Sequence, residues 1–96
     1  MNNGNQINMP MPQIRRFFGI IISMFYDEHN PPHFHATYGE FSAEISIQDL
    51  SPIVGHLPSR VLGLVIEWAS LHQVELMENW KEARDGRPVK KIAPLV

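Results

Sequence analysis

Apolar and aromatic residues crowd together from Arg16 to Tyr26 in the run RFFGIIISMFY. Such a run, β-branched and aromatic at successive positions, predicts a single strand buried on both faces. Asn30-Pro31-Pro32 closes it, because proline cannot serve in a central ladder. The pattern then changes to strict alternation. In HFHATYGEFSAEIS, residues 33–46, apolar and polar positions alternate on both sides of Gly39-Glu40. A two-residue loop with glycine first suits a type II′ hairpin. Pairing Tyr38 with Phe41 puts Phe34, Ala36, Tyr38, Phe41, Ala43 and Ile45 on one face. His33, His35, Thr37, Ser42, Glu44 and Ser46 take the other, and a slip of one residue would scramble both sets.

After residue 46 the alternation fades into QDLSPIVGHLP, a connection with room for a short edge strand at Ile53-Val54. From Pro58 to Arg84 the spacing predicts helix, with proline in the first turn and Gly86 just past the end. VLGLVIEWA is apolar nearly all round and should lie against the sheet. The second half keeps Leu71, Leu76, Met77, Trp80 and Ala83 and is otherwise polar. A straight helix of about 27 residues would run roughly 40 Å, too long for this domain, so a bend or break is expected near residues 70–72. RPVKKIAPLV should form a loop and one last short strand. The expected fold is therefore α+β: a small antiparallel sheet of three to four strands packed on a long C-terminal helical segment, bent or broken. Residues 13–96 form the single domain, and residues 1–12, polar with Gly and Pro, read as a flexible N-terminal extension.

Composition narrows the function classes. At 96 residues with 44% hydrophobic and 19% charged positions, the chain has the makings of one globular core. A formal net charge of −2 argues against a protein-wide grip on nucleic acid while leaving room for a local patch. The absence of cysteine excludes disulfide staples, thiolate zinc sites and thiol nucleophiles. No apolar run reaches the length of a membrane span, and MNNGNQINMPMP lacks the basic and apolar regions of a signal peptide. No membrane association is expected, and the cytoplasm is the expected compartment.

The candidate chemistry lies in DEHNPPHFHATYGEF, residues 27–41. His29, His33 and His35 fall within seven residues, and His33 and His35 share a strand face, the spacing at which two imidazoles meet one ion. Glu44, opposite His35 in the expected register, could fix an imidazole tautomer. His72 on the helix could join them if the break near Ser70 brings it over the sheet. The metal candidates are thus His29, His33, His35 and His72, for zinc or nickel, and the acid–base candidates are His33, His35 and Glu44. A solvent-facing sheet decorated with polar residues is the plain alternative. His33-x-His35-x4-Glu40 resembles the first cupin motif, but a cupin needs a larger double-sheet barrel and a second histidine motif. On the helix, Trp68, His72, Glu75 and Asn79 fall on one stripe, read as a solvated face with Glu75 available to His72. Arg16 and Lys90 are candidates for holding phosphate. Leu76 and Trp80, if the second half of the helix projects, would anchor a partner or a second copy.

Three segments resemble a known bacterial family. RFFGIIISMFYDEHNPPHFHATYGE, LPSRVLGLVIEWASLHQVELMENWKEARDG and KKIAPL, from about Met11 to Leu95, resemble the domain-of-unknown-function family 4160. The resemblance places His29, His33, His35, His72 and Trp80 within characteristic segments but implies no settled catalytic residues. Gly63 stands where relatives often carry a basic residue. Members are often encoded beside another small protein, so the resemblance implies a toxin–antitoxin-type component with a small protein partner from a neighbouring gene. Three functions are expected on this basis. The first is action on RNA or a translation target, with His33 or His35 as acid or base. The second is a non-catalytic partner-binding or dimerising module. The third is a small His-ligated metal protein.

Overall fold

A computed structural model describes residues 12–26 and 29–96. Five antiparallel strands form one sheet in sequence order: β1 (Gln13–Phe17), β2 (Ile20–Ser23), β3 (His33–Tyr38), β4 (Phe41–Ser46) and β5 (Pro52–His56). Two helices follow, α1 (Ser59–Leu71) and α2 (Gln73–Arg84). The α+β class is as expected, but the sheet has five strands and the helical segment is two helices. Of the expected N-terminal extension, residues 1–11 lie outside the described residues. Pro12 is described, and its carbonyl accepts the Met24 N–H at 3.2 Å.

The extra strand comes from a turn hidden in the apolar run. Residues 16–26 are not one strand, because Phe18 and Gly19 both adopt positive φ, +49° and +75°. Phe17 then pairs with Ile20 across a two-residue loop. That is the type I′ pattern, whose twist suits a hairpin. Phe18 is a poor residue for it, since a side chain at positive φ is strained, and its ring is left exposed. The β3–β4 hairpin has the expected register, from His33↔Ser46 to Tyr38↔Phe41. The expected edge strand at Ile53-Val54 is the centre of β5. Gly55, at φ +86°, is required there: an added Cβ would lie 2.3 Å from the Ser42 carbonyl oxygen.

The apolar sheet face and α1 enclose the core. Val61, Val65, Trp68 and Ala69 are buried at helical spacing. The Trp68 ring packs 5.5 Å from Phe17 and 6.0 Å from Phe34. The expected break falls at His72, whose φ of −132° is not helical. Its N–H donates to Ala69 O and its own carbonyl accepts from Leu76 N–H, so one residue ends α1 and starts α2. The break re-phases the helix. Leu76, Asn79, Trp80 and Ala83 become the buried stripe of α2, and Leu71 is exposed instead. The stripe from Trp68 to Asn79 is therefore not a solvated face throughout: Trp68 is in the core, as its place in VLGLVIEWA implies, and Asn79 is buried as well.

No last strand is assigned in residues 87–96. The segment nevertheless lies against β1: Ile92 N–H donates to Ile14 O at 3.2 Å, Arg15 Nε to Ile92 O at 2.5 Å and Lys91 Nζ to Gln13 O at 2.9 Å. Three side chains hold the loops to the helices. Trp68 Nε1 donates to Ala93 O at 2.7 Å, Asn79 bonds both backbone atoms of Lys90, and Gln73 Nε2 donates to Ile47 O at 2.8 Å. Among the described residues no helix is long and apolar enough to cross a membrane.

Candidate metal centre

The site is built by the alternation of β3 and its pairing with β4. His33 and His35 are two apart on β3, so they project from one face. Register places Glu44 of β4 directly opposite His35 and Ser23 of β2 on its other side. One row across the sheet therefore reads Ser23, His35, Glu44, with His33 diagonal to Glu44. The Pro32 carbonyl accepts Ile47 N–H at 3.1 Å, which ties the entry of β3 to the end of β4.

The polar face is not simply solvated. His33 is 3% exposed, with the Trp80 ring of α2 at 5.1 Å and the His35 ring at 5.2 Å. Phe25 meets the His35 ring edge-on at 4.4 Å. The Glu44 side chain keeps about a third of its surface exposed, at 35%. The arrangement is thus a half-covered pocket, dry on the His33 side and open on the Glu44 side.

His33 Nδ1 lies 2.7 Å from the Pro31 carbonyl oxygen. A carbonyl can only accept, so Nδ1 carries the proton and donates it. In the neutral ring, Nε2 then offers a lone pair. That atom faces Glu44 Oε1 at 3.6 Å, a separation too long for a hydrogen bond. It is close to the roughly 3.4 Å edge between neighbouring ligands of a tetrahedral ion with bonds near 2.1 Å. Ligand atoms of His33, His35 and Glu44 all lie within 4.8 Å of one another.

The other expected site residues are placed elsewhere. His29 is exposed ahead of the proline turn and is not part of the three-residue group. His72 is held at the helix junction, where its Nδ1 lies 2.5 Å from Glu75 Oε1 and its ring 5.5 Å from Trp68. It therefore does not join His33 and His35. Leu76 and Trp80 are 0% and 2% exposed. They are core residues of this chain and not surface anchors, because α2 folds back on the sheet instead of projecting. Arg16 is exposed on β1, opposite Ile21. Lys90 lines a groove with Glu75, Glu78 and Asn79, away from the histidine group. Neither cation lines the histidine site.

Sequence reasoning missed Ser23, which is fully buried and whose hydroxyl makes no hydrogen bond among the described residues. A lone serine closing an apolar strand signalled it only weakly. Trp80 Nε1 is the other buried polar side-chain atom without a partner among the described residues.

A five-stranded antiparallel meander, with α1 on its apolar face and a His-His-Glu group on the other, where Trp80 of α2 packs on His33, defines a small α+β domain with one chemically distinctive site among the described residues. The chain belongs to the family described as Domain of unknown function (DUF4160), whose model matches residues 19–81. That span runs from the β1–β2 turn into α2 and is shorter than the stretch the resemblance suggested, but it contains all three site residues. No curated protein and no solved structure matches the chain.

Proposed function

We propose that this chain is a small protein that binds one divalent transition metal through His33 Nε2, His35 and Glu44. The observation that supports the reading is the 3.6 Å approach of His33 Nε2 to Glu44 Oε1, with the opposite ring nitrogen committed to Pro31 O. With Nδ1 donating to Pro31 O, Nε2 is the His33 ring atom on the Glu44 side, and a cation between the two would be bonded by both. Metal-bound histidines characteristically donate their other N–H to a carbonyl or carboxylate, and Pro31 supplies that partner. Two imidazoles and a carboxylate suit zinc or nickel.

Metal binding fits better than an acid–base pair cutting RNA within a toxin–antitoxin-type module. A general base must reach the proton it abstracts, and of the two acid–base candidates His33 is buried under Trp80, which leaves that role only to the half-buried His35. A partner-docking role for Leu76 and Trp80 loses its surface for the same reason. The experiment is a thermal melt with excess zinc, nickel or chelator, for the natural chain and for His35→Ala. Metal at about 100 times its dissociation constant stabilises by about 2.7 kcal/mol, a rise of roughly 10–20 °C for a domain this size. The rise should vanish in His35→Ala. No shift with either metal would refute the reading.

A further inference from the structure

We infer that β5 is a self-association edge: a second copy of this chain adds to it antiparallel, joining two five-stranded sheets into one. Three observations carry it, and none involves the histidines of the metal group.

First, the two edges of the sheet differ. The β1 edge is covered by the chain itself, through Ile92 N–H to Ile14 O, Arg15 Nε to Ile92 O and Lys91 Nζ to Gln13 O. β5 is the other edge, and every residue from Pro52 to His56 is exposed. Ser46 N–H donates to Ser51 O at 2.9 Å, so β4 turns the backbone groups of Ser46, and by alternation those of Glu44 and Ser42, toward β5. Their partners Val54 and His56 then face inward, which leaves the Gly55 N–H and carbonyl pointing away from the sheet. Another strand offers the row of donors and acceptors that matches such an edge.

Second, the side chains on this edge are those of a contact. Ile53 is 43% and Val54 56% exposed. Monomeric proteins commonly guard an edge with charged side chains, lysine above all, and PIVGH carries no Asp, Glu, Lys or Arg. Pro52 and the irregularity between Glu44 and Ile45 lie at the start of the strand. The stretch from Val54 to His56 has no such guard.

Third, these features select a second copy. An uncharged strand meets itself with no like charges opposed, and antiparallel pairing about a two-fold axis is self-complementary. Glu44, the carboxylate beside Val54 in the sheet, would lie three strand spacings from its mate, about 14 Å. That exceeds the Debye length of about 8 Å at physiological salt. Because the β1 edge is covered, the joined sheet has no further open edge, and association stops at two copies.

The test is sedimentation velocity of the full chain over a range of concentrations, with amide exchange measured in parallel. The expected result is a concentration-dependent approach to twice the chain mass, with exchange at Gly55 slowing as the dimer forms. Val54→Lys, and separately Ile53→Lys, place a charge at an exposed position of the edge. Each should keep the native circular dichroism and weaken self-association at least about tenfold. A chain that stays monomeric at every concentration would overturn the inference, even if it then pairs with a different protein. So would a dimer that tolerates both lysines, or one that leaves exchange at Gly55 unchanged.

Discussion

Asn79 closes a two-bond ring with the backbone of Lys90. Its Nδ2 donates to Lys90 O at 2.8 Å, and Lys90 N–H donates to its Oδ1 at 2.9 Å. Only a primary amide offers a donor and an acceptor in this geometry, so the side chain acts as a strand edge would. It fixes the segment that runs on to Ile92 and covers β1.

Asn79→Ala removes both bonds and leaves the two Lys90 backbone groups to a groove that water can enter. Each lost bond is worth about 0.5–1.5 kcal/mol net, so the substitution should destabilise the fold by about 1–3 kcal/mol in urea unfolding. Hydrogen exchange should quicken first at Lys90 and Ile92. A loss no larger than that of an exposed-site alanine would show that the clamp contributes nothing to stability.

Gly55→Ala tests the β4–β5 contact. The new Cβ would fall 2.3 Å from Ser42 O and 2.9 Å from the Ala43 Cα, both backbone atoms that cannot swing aside, at a φ of +86°. Backbone strain of this kind costs on the order of 1–3 kcal/mol. Because β5 is an edge strand, exposed along its length, it should detach before the core does. Amide exchange at residues 42–44 should rise with little change at Phe34 or Val65.

A third prediction concerns pH. Arg87 Nε donates to Glu82 Oε1 at 2.6 Å, and this bond, with the guanidinium charge, holds the Glu82 carboxyl below its ordinary value of 4.5. The folded value is depressed, so the pair contributes stability at neutral pH and loses it as pH falls below 4.5 through the folded value. Arg87→Gln should return the Glu82 titration toward 4.5 in a carboxyl-carbon NMR titration. Both groups lie on the surface, so the thermal midpoint should barely change, and any difference should shrink in salt.

How far the sequence reveals this molecule depends on which force sets each feature. The β3–β4 register was legible because alternation leaves one pairing that sorts every side chain, and Gly39-Glu40 marks the turn. The β1–β2 turn was hidden because Phe18-Gly19 lacks the usual Asn-Gly signal and sits inside an apolar run. His33, His35 and Glu44 could be grouped from spacing and register alone. The site's walls could not be, because the break at His72 decides whether Trp80 faces solvent or His33, and a helical repeat read across that break assigns the wrong face. Asn79 looked like a surface residue for the same reason: its partner, Lys90, is fixed only by tertiary packing.

Ser23 supplies the sharpest test of the metal site, because it separates stability from affinity. Its hydroxyl is buried beside His35 in the strand row and makes no hydrogen bond among the described residues. An unsatisfied buried hydroxyl costs about 1–3 kcal/mol, so Ser23→Ala should leave the metal-free protein as stable as the natural chain or more so. Ser23 is the cross-strand neighbour of His35, so its oxygen is one acceptor in that row for the N–H of a metal-bound His35 ring. Loss of such an outer partner typically weakens metal binding about 10–100-fold. Calorimetric titration with zinc should therefore show weaker binding in Ser23→Ala, while the melt without metal shows an unchanged or higher midpoint. Lower stability with unchanged affinity would make Ser23 a packing residue with no part in the site.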